Sequence, residues 1–125
     1  MASPTDRKYS PDHEWILVDG DVATIGITKY AADQLGSIVF VELPEEGDSF
    51  SSGEAFGEVE SVKSVSELLL PIAGEILEIN ESLEDAPETV NDDPYGSGWL
   101  VRVRMDDEAG LEELIDAAAY DASLA

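Results

Sequence analysis

A mainly β fold, a sandwich or flattened barrel carrying two small helices, is predicted by three features of this 125-residue sequence. Short runs of alternating or β-branched apolar residues recur along it, and turns rich in Gly, Pro and Asp separate them. Hydrophobic residues make up 43%, enough to build a core in one compact domain over residues 1–125.

Each element has its own local reason. Residues 1–12 are polar and carry Pro4 and Pro11, so a loosely held arm is expected there. His13-Glu14-Trp15-Ile16-Leu17-Val18 reads as a strand, Asp19-Gly20 as a tight hairpin turn, and Val22–Ile27 as the returning strand. Thr28 offers an N-cap for a short helix through Ala31, Ala32 and Leu35, which Gly36 ends as a left-handed cap. Ile38–Leu43 is a nearly continuous apolar strand, stopped by Pro44-Glu45-Glu46-Gly47. Further strands are expected at Ala55–Glu60, Ser66–Leu70 and Glu75–Ile79, with turns at Ser52-Gly53, Val62-Lys63 and Ala73-Gly74. Asp92–Gly98 is a loop, and Trp99–Met105 alternates as the last strand. Leu111, Leu114, Ile115 and Ala118 recur at helical spacing and predict an amphipathic helix over 107–120, packed on the sheet.

Composition excludes whole classes of function. Against 29 Asp and Glu stand 6 Lys and Arg, a formal net charge of −23. A phosphate backbone is repelled by such a surface, and so is an anionic membrane, so neither nucleic acid nor membrane is expected as a partner. Lysine depletion with an acidic surplus also resembles proteins of very salty cytoplasm, which fold fully only when salt screens their self-repulsion. Without cysteine there is no disulfide, no thiolate nucleophile and no Cys-ligated metal. A single histidine, His13, rules out His-based zinc sites. No apolar run approaches membrane-spanning length, and neither a secretory nor an Arg-rich leader is visible. A cytoplasmic chain is therefore expected, with the mitochondrial matrix, for a processed chain, as the alternative.

One residue stands apart. Only three lysines occur, Lys8 in the expected arm, Lys29 in the short helix, and Lys63. Lys63 alone sits at a hairpin tip, flanked by the small or branched Ser61, Val62, Ser64 and Val65. An amine displayed this way suits a modifying enzyme that grips the backbone, although most surface lysines are simply solvated charges. Other motifs have plain explanations. Trp15 and Trp99 read as core aromatics, and His13 as a packed or surface histidine. Asp92-Asp93 and Asp106-Asp107-Glu108 lack EF-hand spacing, and Gly53 and Gly57 lack that of a dinucleotide fingerprint.

Glu60-Ser61-Val62-Lys63, followed by Pro71-Ile72-Ala73-Gly74-Glu75-Ile76 and Asn80, resembles the biotinyl/lipoyl-carrier hairpin. The outer segments His13-Glu14-Trp15, Ala23–Thr28, Val39–Pro44 and Asp93–Trp99 narrow the resemblance to the H-protein family of the glycine cleavage system, over roughly residues 9–120. Val62 and Ser64 stand where a biotin carrier has methionines. The chain departs from the family's commoner residues at Asp12, Lys29, Ser64, Glu67 and Leu69-Leu70.

The resemblance implies a lipoyl/biotinyl-carrier-like β-sandwich, a flattened barrel-sandwich hybrid with a short internal helix and a C-terminal helix. It implies lipoate covalently bound to Lys63 by a lipoate-attaching enzyme, on a shuttle that is not itself an enzyme. A pyridoxal-phosphate-dependent glycine decarboxylase loads the arm with an aminomethyl group. An aminomethyltransferase passes that group to tetrahydrofolate, and dihydrolipoamide dehydrogenase re-forms the dithiolane. The His-Glu-Trp strand is expected to line a cleft that shelters the loaded arm, with Glu14 the first candidate to hold its amine and Asp12, His13 and Glu67 beside it. A monomer making transient contacts is expected. Two other functions remain open from sequence: a relay that donates lipoate or octanoate to other carrier domains, and an unmodified acidic binding module.

Overall fold

The computed structural model describes residues 4–10, 13–106 and 114–124. Among them are nine strands: β1 (Lys8–Tyr9), β2 (Glu14–Asp19), β3 (Val22–Ile27), β4 (Ile38–Glu42), β5 (Ser49–Phe50), β6 (Ala55–Ser61), β7 (Val65–Leu69), β8 (Gly74–Ile79) and β9 (Val101–Met105). Four helices accompany them: α1 (Lys29–Leu35), α2 (Ser82–Asp85), α3 (Thr89–Asp92) and α4 (Ala117–Leu124). The strands form a six-stranded sheet in the order β1-β2-β3-β9-β8-β5 and a three-stranded sheet in the order β4-β6-β7. All pairings are antiparallel. The mainly β class expected from the alternating runs is the class observed. No helix among the described residues is long and apolar enough to cross a membrane.

Alternation decides which side chains meet between the sheets. Ile16, Ile25, Ile76 and Val103 point inward from the large sheet, and Val41, Phe56, Val59 and Leu68 from the small one, all buried in one apolar cluster. Trp15, on the opposite face of β2 from Ile16, joins a second cluster with Tyr9, Ala117 and Tyr120. Strand β2 is therefore buried on both faces along its first half. Pairing of Trp15 with Gly26 explains a glycine in mid-strand: a Cβ at Gly26 would fall 2.6 Å from the indole ring, which lies across that position.

Three expectations need correction. The N-terminal segment is not a loose arm where it is described: Tyr9 is 0% exposed, pairs with Trp15, and exchanges backbone hydrogen bonds with Ile115. The apolar Tyr9 ring, stacked 4.8 Å from Tyr120, ties the segment down. The C-terminal helix does not cover 107–120. Residues 107–113 lie outside the described residues, Leu114–Asp116 are not helical, and the helix begins at Ala117. Ile115 is drawn instead into an isolated bridge with Tyr9, and Ala117 and Tyr120 are the buried positions. Gly36 has φ 81° and ψ −158°, which is not a left-handed helical cap but an extended mirror conformation open in practice to glycine alone. The other half of that helix reading matches, since Thr28 Oγ1 accepts from the Ala31 N–H.

Candidate functional site

The β6–β7 hairpin carries Lys63 at its tip. Its apex is organised by Ser61, whose hydroxyl accepts from the N–H groups of Lys63 and Ser64, each at 3.2 Å, and donates to the Ser64 carbonyl at 3.2 Å. One donor and two acceptor positions are all a hydroxyl has, so a small buried serine satisfies the whole turn. The Ser61 N–H also reaches Ser64 O, at 2.8 Å. A further bond from Val62 N–H to Ser37 O, 3.1 Å, fastens the apex to the junction between α1 and β4. The Lys63 backbone is thereby fixed while its side chain stays exposed.

Gly36 provides the platform beneath that side chain. A Cβ built there would stand 3.2 Å from Lys63 Cε and 3.7 Å from Nζ, so the lysine stem lies along the bare glycine. Asn91 of α3 holds the platform from below, accepting from Ile38 N–H at 2.9 Å and donating to Gly36 O at 2.8 Å.

Beside this tip opens a cleft of about 440 Å³, within the size range of small-ligand pockets. Ile27, Ala31, Leu35, Leu68 and Leu69 give it an apolar lining; His13, Glu14, Tyr30, Gln34, Ser66 and Glu67 give it polar groups. Leu35 adjoins Gly36 in the chain and Ser66 follows Lys63 by three residues, so two of the lining residues are near chain neighbours of the lysine platform. Three of the four residues expected around such a cleft, His13, Glu14 and Glu67, line this one; the fourth, Asp12, lies outside the described residues.

Glu14 is 3% exposed, and the Ser10 hydroxyl donates to its Oε1 at 3.2 Å. The same hydroxyl oxygen accepts from Glu14 N–H, also at 3.2 Å, which fixes the start of β2. His13 adopts φ 67°, and its ring Nδ1 lies 2.9 Å from the Tyr120 hydroxyl. Tyr30, Gln34, Asn91 and Tyr120 were not legible as parts of the site. Each is an ordinary residue whose position depends on tertiary contact, and only the helical register of Tyr30 with Gln34 (i, i+4) offered a hint.

Comparison with known proteins adds an independent line. A family model described as glycine cleavage H-protein matches residues 7–125. A glycine cleavage system H protein of Beutenbergia cavernae is 56% identical over 122 residues, covering 98% of this chain and 96% of its own. One from Staphylococcus epidermidis is 55% identical over 120 residues, covering 96% and 95%. The crystal structure of a glycine cleavage system H protein from Mycobacterium marinum matches with a TM-score of 0.90 at 44% identity, covering 98% of both chains.

Proposed function

The chain belongs to the glycine cleavage H-protein family, and from that premise we propose that Lys63 carries a lipoyl group in amide linkage and that the cleft beside it shelters the loaded end of the arm. The protein is a carrier of the glycine cleavage system and works with the other components of that system. In this reading it takes the aminomethyl group of glycine from glycine decarboxylase to the tetrahydrofolate-dependent aminomethyltransferase, and dihydrolipoamide dehydrogenase returns the arm to its oxidised form. A lipoate-attaching enzyme installs the group.

When bound, lipoate supplies a cyclic disulfide, far from the dihedral near 90° that an open one prefers and therefore reactive, which a chain without cysteine cannot provide. The residues of this chain position and protect. Ser61 and the Ser37 carbonyl hold the attachment point, Gly36 leaves room for the lysine stem, and the apolar side chains of the cleft exclude water. Glu14 and Glu67 face the cleft with carboxylates suited to an ammonium group. The observation that carries the reading is the Lys63 stem lying along Gly36, which is next in the chain to Leu35 in the lining of a cleft of about 440 Å³.

The test is a mass measurement with a variant. Protein from its native cell should carry a lipoyl increment on the peptide containing Lys63. Lys63→Arg should carry none and should abolish bicarbonate exchange into glycine with purified glycine decarboxylase. A bare Lys63, or exchange that survives the substitution, overturns the proposal.

A further inference from the structure

His13 is the only non-glycine residue with a positive φ among the described residues, at 67°. That conformation is uncommon for any side chain, and here both backbone groups are pinned. The His13 N–H donates to Ser10 O at 3.1 Å, and its carbonyl accepts from Thr28 N–H at 3.0 Å. The backbone thus turns the imidazole out of the β2 pleat and against two aromatic rings. One side of it meets Tyr30, centroids 4.7 Å apart, in the cleft lining. On the other side its Nδ1 lies 2.9 Å from the hydroxyl of Tyr120, which lies 2.7 Å from Thr28 Oγ1.

Counting hydrogens gives this chain a direction. Thr28 Oγ1 already accepts from Ala31 N–H, so its own hydrogen is available for Tyr120. With a neutral imidazole, Tyr120 then donates to His13 Nδ1, which leaves the ring hydrogen on Nε2. In the opposite direction the hydrogen of Thr28 would need another acceptor, and none is seated on it among the described residues. Burial pushes the Tyr120 phenol above its usual value, so the hydroxyl keeps its hydrogen to donate.

We infer that Tyr120, through its bonds to Thr28 and His13, is a positioning residue that fixes the imidazole in the cleft wall as its Nε2–H tautomer. This inference rests on the sheltering role proposed for the cleft. An amine on a carbon bonded to sulfur is stable while protonated. Once the nitrogen loses its proton, its lone pair expels the sulfur as thiolate. The released methyleneiminium ion then takes up water to give formaldehyde and ammonium. A basic imidazole nitrogen in the wall of the cleft would invite that proton loss, whereas an N–H group does not. The tie to α4 turns the wall of the cleft from a base into a donor.

His13 is the only histidine in the chain, so its ring nitrogens can be read without ambiguity by 1H–15N correlation of the unmodified protein in mildly alkaline buffer. The wild type should show the Nε2–H tautomer with the ring close to Tyr30. In Tyr120→Phe, which keeps the stack on Tyr9, the ring signals should move toward the average of a free imidazole. Loaded Tyr120→Phe should release formaldehyde several-fold faster per mole of aminomethyl group carried. An Nδ1–H tautomer in the wild type overturns the inference without any variant, which covers the case of a poorly folded Tyr120→Phe. Unmoved ring signals in the variant, or unmoved release from a freed ring, also overturn it. Absence of the lipoyl increment would instead fail the Lys63 reading, while the ring signals still decide the tautomer.

Discussion

Glu14 is a carboxylate where carboxylates are seldom found, 3% exposed and at the first position of a strand buried on both faces. A buried charge is retained only with partners, and the Ser10 hydroxyl is one of them. Its place in the cleft lining makes it the first candidate to hold an ammonium group. Glu14→Gln keeps the shape and the Ser10 bond but removes the charge. Loss of one charge-assisted hydrogen bond, about 1.5 kcal/mol, should speed loss of the loaded aminomethyl group roughly tenfold. Formaldehyde release from loaded protein measures it, and an unchanged rate would assign Glu14 to the architecture of β2 alone. Much at this scale was legible. Lys63 stood out because lysine is rare in the chain, and Thr28 because a hydroxyl before a helical run caps it. The left-handed His13 was not, since nothing in His13-Glu14-Trp15 announces a positive φ that tertiary hydrogen bonds impose.

Among the elements, the smallest matter most to the site. Helix α3 has four residues, yet its Asn91 joins the Gly36 carbonyl to the Ile38 N–H and so braces the platform under Lys63. Asn91→Ala should cost about 1–3 kcal/mol by leaving those backbone groups unpaired. Melting should fall by several degrees, and amide exchange should quicken at Ile38 and at Val62, whose N–H bonds to the same junction. Unaltered exchange at Val62 would show that the apex stands without this brace. Strands of five or more residues were readable because alternation needs several positions to declare itself; β3 was placed to the residue by Asp19-Gly20 and Thr28. The two-residue strands β1 and β5 and the four-residue helices α2 and α3 have no period to read, and their partners across the fold define them. The last helix was misplaced for a related reason. Leu114 and Ile115 fit a helical spacing, but Ile115 finds a better partner in the backbone of Tyr9 than in the helix.

For the molecule as a whole, the acidic surplus outweighs every other property of the surface. Four of the six basic residues, Arg7, Lys29, Arg102 and Arg104, form ion pairs with neighbouring carboxylates, against a total of 29 Asp and Glu. The chain as a whole carries a net −23, and its surface carboxylates repel one another. Melting temperature should therefore climb as potassium chloride is raised from about 0.01 M, where the Debye length is about 30 Å, to about 1 M, where it is about 3 Å. A flat profile would mean that the carboxylates are already spaced widely enough to ignore one another. Composition disclosed this property at once, because net charge needs no fold to be counted. The bond from Val62 to the Ser37 carbonyl has a broader consequence for the proposed carrier role. It ties the hairpin tip to the α1–β4 junction, so a group tethered at Lys63 would sweep a shell about an anchored centre. Any partner that draws on such a group would meet it about that one point. Under the proposed role, the reach of the cargo would then be set by the arm and not by movement of the hairpin.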